Sequence, residues 1–238
     1  AGNQIEKCRC SLEARYLQIF KGDEIEFPED GYQGEDIKDL AKEYADLNGD
    51  SLVNVSAEER KKALVDYALP TNIKKMQADM EKYKIFYDKW FFESELHKSG
   101  AVKAVVDLLT KKGLTYEKDG AVWYKNKEVL TQKLLKEGKS QKYIDNLELK
   151  DDVLIRQNGN PTYFTADIAY HKNKFDRGFT TLIDVWGADH HGHVMRMKGA
   201  MDAIGYDGDK LNVVLMQLVK LVKDGELVRM SKGTGKAF

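Results

Sequence analysis

Apolar residues recur near the start of the chain at Ile5, Cys8, Leu12, Tyr16 and Ile19, a near-helical spacing that predicts an amphipathic helix over residues 5–20. That period is lost from Lys21 to Gly34, where Gly22, Pro28, Gly31 and Gly34 stand among acids and predict a loop. A short helix is expected over 35–44, closed by Asn48-Gly49-Asp50. Ser56-Ala57-Glu58-Glu59 has the form of a capping box, in which the serine hydroxyl and the later glutamate satisfy free amides at a helix start. The helix it opens is expected to reach about Ala68 and break before Pro70, because proline disfavours the α region for the residue ahead of it. A second helix from Asn72 would carry Ile73, Met76, Met80 and Tyr83 on one side, as core packing. Phe86, Tyr87, Trp90, Phe91 and Phe92 have no flanking basic groove, so burial against a main sheet is expected rather than base stacking.

Further along, Ser99 is expected to cap a helix from Ala101, with Val102, Val105, Val106 and Leu109 inward and Gly113 as its stop. Leu114 to Tyr124 reads as a hairpin turned at Asp119-Gly120. Residues 125–150 are polar, Lys-rich and helical in part; their charge is a solvated face or, alternatively, meets a phosphate backbone. From Asp152 the pattern changes. Val153-Leu154-Ile155 is a short strand and Asn158-Gly159 a turn. Asn160-Pro161 opens a helix reaching about Phe175. Thr180 to Val185 reads as a buried strand, His191 to Ile204 as a helix ended by Gly205, and Leu211 to Met216 as another strand. Leu218 to Met230 is a hairpin turned at Asp224-Gly225. Strands alternating with helices predict parallel βαβ units, with ligands at the C-terminal ends of the strands.

Composition narrows the reading. The 238 residues suffice for one large domain or a core with a subdomain, and 42% hydrophobic with 32% charged content is ordinary for a globular chain. A net charge of −1 leaves no global basic footprint, so any nucleic-acid contact would have to come from local patches or from parts of the protein outside this chain. No apolar run approaches the roughly 18 residues of a membrane span, and no signal peptide opens the chain. Cys8 and Cys10 alone cannot form a four-cysteine zinc site or a disulfide framework; reduced thiols in a cytosolic setting are expected. The chain begins at Ala1 without Met and stops at Phe238 after a Gly-rich loop, so both ends are expected to be cuts through a larger domain.

Three clusters carry candidate chemistry. Tyr163 and Asp167 are four apart at a helix start and project from one face, where a carboxylate can pair with a planar guanidinium and a phenol can add a hydrogen bond; the alternative is a capping or solvent-facing Asp. Gly187-Ala188-Asp189 lies just past a strand and opens a helix, where backbone can approach a nucleotide and Asp can accept ribose hydroxyls. Asp189, His190, His191 and His193 have zinc-ligand chemistry, but neighbours at a helix start diverge and no distant partner completes a set, so no metal is expected. His190 to His193 also spells His-x-Gly-His, which is read as a decoy of the class I synthetase signature because that signature belongs far upstream. Met230-Ser231-Lys232-Gly233-Thr234-Gly235-Lys236 is a Gly-containing loop whose lysines can neutralise phosphate charge in a nucleotidyl-transfer transition state.

In their order along the chain these pieces resemble an arginyl-tRNA synthetase, a class I aminoacyl-tRNA ligase. The segments Ala1 to Gln4, Phe27 to Gly34, Trp90 to Gly100, Tyr116 to Trp123, Pro161 to His171 and Trp186 to Val194 carry the resemblance, with a bacterial flavour in Gly187 to His193. It covers essentially the whole chain. It implies an α/β fold: the second half of a Rossmann-like, doubly wound parallel sheet with a mainly helical insertion. Residues 1–34 would end the first half, 35–150 form the insertion, and 151–238 form the second half up to the Met-Ser-Lys loop. The implied reaction joins arginine to ATP, accompanied by Mg²⁺, giving arginyl-adenylate and pyrophosphate, then transfers arginine to the 3′ end of tRNA(Arg). Adenylate formation in this family generally requires bound tRNA. No tightly bound cofactor, a cytoplasmic monomer and no membrane contact are implied.

Carried over by position, Tyr163, Asp167 and His190 would bind arginine. Gly187, Asp189, His193, Met230 and Lys232 would bind ATP, and Lys232 with Ser231 would act in catalysis. Two positions depart from the family loop: Arg229 replaces its first lysine, and Gly233 stands where relatives usually carry Arg. The family's His-x-Gly-His segment is expected before residue 1, with anticodon-binding and N-terminal domains also elsewhere, so the isolated chain is expected to be inactive. The competing readings are a non-catalytic nucleotide-binding paralogue and a metal-dependent hydrolase built on Asp189 to His193.

Overall fold

The computed structural model describes residues 2–229. The described residues form two compact units, 2–88 with 220–229, and 89–219. The first helix packs on the two that follow it, and the strand at Asp152 is hydrogen-bonded into the sheet of the preceding hairpin.

The first unit is built on helices α1 (Gly2–Lys21), α2 (Glu35–Asn48) and α3 (Ala57–Lys82). Leu12 and Tyr16 bury against Ile37, Leu40 and Ala41 of α2 and Leu64 and Ala68 of α3. The Tyr16 hydroxyl donates to the Gly49 carbonyl at 2.8 Å and accepts from the Leu52 amide at 3.1 Å, which ties the α2–α3 loop to the core. Ser56 caps α3 by accepting from the Glu59 amide at 3.2 Å, as the capping box predicts. Pro70, however, does not end this helix. Its ring lies on the exposed side, where water can take the Asp66 carbonyl that a proline leaves unbonded, and Thr71 Oγ1 donates back to Tyr67 O at 2.7 Å. The stripe expected to be core is also open: Met76 and Tyr83 are 51% and 79% exposed among the described residues.

The second unit holds α4 (Glu93–Lys98), α5 (Ala101–Lys111), β1 (Thr115–Lys118), β2 (Ala121–Tyr124), α6 (Asn126–Lys136) and α7 (Gln141–Asn146). It continues with β3 (Asp152–Ile155), α8 (Tyr163–Asp176), β4 (Leu182–Gly187), α9 (His191–Ala203) and β5 (Leu211–Met216). Asp119 and Gly120, both at positive φ, turn the β1–β2 hairpin, and β3 adds to it antiparallel. Strands β4 and β5 are parallel, paired from Leu182↔Leu211 to Gly187↔Met216, with α9 as the crossover. Architecture is therefore α/β with two small sheets in this unit; parallel pairing among the described residues is confined to this one βαβ unit. Val102, Val105, Leu109, Leu154, Ile168, Met197, Met201 and Leu211 form its core. At Gly199 a Cβ would lie 2.6 Å from Leu130 Cδ2, so the glycine lets α9 close on α6.

Four local expectations change. Ser99 does not cap α5: its Oγ donates to Leu96 O at 3.3 Å, and Gly100, at φ +79°, starts the helix. The cap of α8 is Thr162 rather than Asn160, because Pro161 is bridged to Ile155 and Thr162 Oγ1 also donates to Val153 O at 2.8 Å. Strand β4 is buried on one face only: Leu182 and Asp184 point in, whereas Ile183 and Val185 are 66% and 67% exposed. Of the aromatic cluster, Phe91 packs on the core beside the Tyr170 ring, 4.7 Å away, while Phe86 and Tyr87 are exposed.

The remaining hairpin pairs β6 (Leu221–Lys223) with β7 (Glu226–Val228) around Asp224-Gly225. No described helix is long and apolar enough to cross a membrane. Met230, Ser231 and Lys232, with the rest of their loop, lie outside the described residues.

Candidate active site

At the C-terminal end of β4 an open cleft of ≈ 920 Å³ lies within the second unit. Helix α8 supplies Tyr163, Phe164, Asp167 and Tyr170; β4 supplies Trp186; Asp189, His190 and His193 come from the turn and helix beyond it. Phe91 and Glu93 line it from the segment around the start of α4.

The N-terminus of α8 is fixed to β3 by side chains. Thr162 Oγ1 donates to Val153 O, and Thr165 Oγ1 donates to Leu154 O at 2.7 Å. That anchoring sends Tyr163, Asp167 and His171, each one turn apart, along one side of the helix. Tyr163 stands at the surface, 58% exposed. Asp167 is partly buried in the cleft, and His171 is fully inside.

Both oxygens of Asp167 face imidazole nitrogens. His193 Nε2 lies 3.0 Å from Oδ2, and His171 Nδ1 lies 3.3 Å from Oδ1 and 2.7 Å from the Asp167 backbone oxygen. Arg196 Nη1 approaches His193 Nδ1 at 3.3 Å. A guanidinium only donates, so His193 Nδ1 accepts and its Nε2 carries the hydrogen given to Asp167. Arg196 is held in turn by a two-pronged pair with Asp152 and lies 4.6 Å over the Phe164 ring. On the other side, His171 Nε2 is 2.5 Å from Asp184 Oδ2, and Lys174 Nζ is 3.1 Å from Asp184 Oδ1. A hydrogen-bonded chain of polar and charged side chains therefore runs from Asp152 on β3, through Arg196 and His193 on α9 and Asp167 and His171 on α8, to Asp184 on β4.

This chain sets the ionisation of its members. Burial pulls the Asp167 carboxyl up, but hydrogen bonds from His171 and His193 hold it well below the usual carboxylate range. Burial opposes charge on His171, yet its bonds to Asp167 and Asp184 raise it to about 9. Asp184 is lowered, with burial outweighed by His171 and Lys174.

The cleft brings together Tyr163, Asp167, Asp189, His190 and His193. Gly187 does not line it; the residue follows the lining Trp186 in extended backbone, and a Cβ there would lie 2.5 Å from Asp189 Oδ1. Asp189 and His190 are largely exposed and only 3.8 Å apart, with His190 beside the Trp186 ring. His193, expected toward a nucleotide, has its Nε2 turned to Asp167. Among the described residues no three His, Cys, Asp or Glu side chains group as a metal-ligand set.

Sequence reasoning missed His171, Asp184 and Arg196. Two signals were present: His171 continues the four-residue spacing from Tyr163 and Asp167, and Asp184 is an acid inside an otherwise apolar strand, where an unpaired charge would be costly. Arg196 had no comparable signal, since Asp152 lies on a distant strand.

No family model matches the chain. It is 54% identical, over all of its length, to the arginine–tRNA ligase of Ruminiclostridium cellulolyticum, and covers 40% of that protein. The arginine–tRNA ligase of Caldanaerobacter subterraneus is 55% identical over 99% of this chain, which covers 39% of it. Among solved structures, an arginyl-tRNA synthetase from Campylobacter jejuni superposes over 97% of this chain and 46% of its own, with a TM-score of 0.77 and 35% identity. Arginyl-tRNA synthetase from Thermus thermophilus shares the fold, with a TM-score of 0.54 at 16% identity over 88% of this chain and 40% of its own. The chain thus spans about two fifths of the length of the curated relatives it matches.

Proposed function

This chain belongs to the arginine–tRNA ligase family, and we propose that its cleft is the arginine side of that family's activation site. The observation that carries the proposal is the Asp167 carboxylate, ionised, partly exposed in the cleft and steadied from behind by two imidazoles. A guanidinium is planar, permanently charged and weakly hydrated, so a fixed carboxylate between aromatic walls suits it. Tyr170 and Trp186 supply flat walls, and Glu93 supplies a second carboxylate at the rim. Tyr163, one turn ahead of Asp167, would orient the plane of the fork, and His190 would contact the backbone end of the amino acid.

In the proposed reaction the arginine carboxylate attacks the α-phosphate of ATP, pyrophosphate leaves, and the adenylate passes arginine to the 3′ end of tRNA(Arg). Gly187, Asp189 and His193 would border the nucleotide at the end of β4, where open α/β sheets bind such ligands. His193 would face both substrates, since its Nε2 is committed to Asp167. Met230, Ser231 and Lys232 would close over the phosphates, with the Lys232 ammonium neutralising charge that develops on the leaving group. Mg²⁺ would arrive on the ATP phosphates as part of that substrate. We further propose the doubly wound sheet as the setting of the β4–β5 pair, with residues 1–34, 35–150 and 151–238 as first-half end, insertion and second half. A cytoplasmic monomer completes the reading.

The metal-hydrolase alternative finds no support in these relatives, and His193 is engaged with Asp167. The test is calorimetric titration of the chain with arginine and, separately, with lysine. Arginine is expected to bind and lysine to bind far more weakly; equal affinity, or no heat with either, rejects the guanidinium site.

A further inference from the structure

His171 takes no part in the steps above. Its side chain is 2% exposed, out of reach of anything in the cleft, yet it touches the carboxylate on which arginine recognition is placed. A neutral imidazole offers one donor and one acceptor. Here Nδ1 faces the Asp167 carbonyl at 2.7 Å and Nε2 faces the Asp184 carboxylate, oxygens that only accept. Both nitrogens must therefore carry hydrogen while Asp184 is ionised. Lys174 on the second oxygen of Asp184 favours that ionised form, and the Trp186 ring closes the site edge-on at 6.3 Å. The titratable and charged groups facing His171 or its carboxylate partners are Asp167 and Lys174 on its own helix, Asp184 on β4, and His193 on α9, which bonds Asp167; Arg196 stands behind His193, and Glu93 on α4 lines the cleft that Asp167 enters.

We propose that His171 is a positioning residue: an imidazolium anchored on Asp184 that aims the Asp167 carboxylate into the cleft and keeps it ionised for a cationic side chain. The ligand in this statement rests on the arginine reading; the geometry does not. Asp184 thereby acts on substrate recognition from two residues away, with no contact of its own to the cleft. Without the imidazolium, Asp167 loses one of its two donors and its nearest buried positive charge, so its carboxyl should become more basic and less fixed.

Imidazole and carboxyl NMR of the 238-residue chain reads the coupling directly, in wild type, His171→Gln and Asp184→Asn. In wild type the His171 ring is expected to stay doubly protonated through neutral pH and to titrate near 9. Asp184→Asn should lower that midpoint by about one pH unit or more, and His171→Gln should raise the Asp167 midpoint by a similar amount. Arginine Kd should rise about tenfold in His171→Gln, as expected for one weakened charged contact. A wild-type ring that titrates near its ordinary 6.5 overturns the proposal, as does an Asp167 midpoint unmoved in a folded His171→Gln chain. If His171→Gln loses the dispersed amide spectrum of the folded chain, Asp184→Asn decides: an unmoved His171 midpoint overturns the proposal. A wild-type chain that shows these titrations but binds no arginine supports the His171–Asp167 coupling and rejects the arginine reading instead.

Discussion

Replacing Asp167 with asparagine is the sharpest test of the cleft. The side chain keeps its size and one acceptor but loses its charge. In the native arrangement Oδ2 faces His193 Nε2 at 3.0 Å and Oδ1 faces His171 Nδ1 at 3.3 Å. An asparagine would have to turn its amide NH₂ toward one of these two N–H groups. His193 cannot easily reverse its tautomer to accept, because Arg196 already donates to its Nδ1. The substitution therefore has two consequences that separate experimentally. One is a local donor–donor conflict, which leaves buried groups unsatisfied at about 1–3 kcal/mol and appears as a lower urea midpoint. The other is the loss of the charge-assisted bond to the guanidinium, about 1.5–3 kcal/mol, which raises the Kd for arginine roughly 10- to 100-fold. Calorimetry on the folded variant reads the second, and in a full-length enzyme carrying this segment the KM for arginine should rise while the KM for ATP stays nearly constant. A variant that loses stability yet binds arginine as tightly as wild type would show Asp167 to be a structural acid and would place the arginine pocket elsewhere.

Other perturbations follow from the same structure. The raised His171 value means that its charge stabilises the fold fully below its ordinary 6.5, and that this contribution is lost as pH rises through about 9; urea midpoints should fall across that window, and Asp184→Asn should flatten the decline. Pro70→Ala should stabilise the first unit by about 1–3 kcal/mol in thermal melts, because the exposed proline interrupts one backbone bond of α3 without any packing role; an unchanged melting temperature would argue against this. Arg60 is buried, with Nε on Leu52 O at 2.7 Å, Nη2 on Val53 O and Val55 O, and Nη1 on Glu13 at 3.0 Å, so Arg60→Ala should cost about 3–5 kcal/mol in denaturant unfolding. The proposed reaction, rather than the described structure, adds one more: in a full-length enzyme carrying this segment Lys232→Ala should lower kcat by about 100-fold or more with a smaller change in KM for ATP; a large KM effect at constant kcat would make Lys232 a ground-state ligand instead.

By itself the sequence determined the local elements. Near-helical spacing was enough for α1 and α5, and Asp119-Gly120 and Asp224-Gly225 were enough for two hairpins, because φ > 0 at both central residues of such a turn is a local requirement. The helix-borne pair Tyr163 and Asp167 was equally legible, since residues one turn apart share a face whatever the tertiary context. Tertiary structure decided the rest. Whether Pro70 stops a helix depends on whether water can reach the orphaned carbonyl, and that is settled by which side of α3 faces out. Whether the Met76 stripe or the Ile183 and Val185 face is buried depends on what packs there, which periodicity does not contain. The partner of β3 could not be read from its own residues, because a short apolar strand accepts either parallel or antiparallel neighbours. Most of all, the ionisation of Asp167 is a property of the Asp152–Arg196–His193 and His171–Asp184–Lys174 contacts on either side of it. Those groups come from β3, α8, β4 and α9, and charges interact through distances that only folding sets.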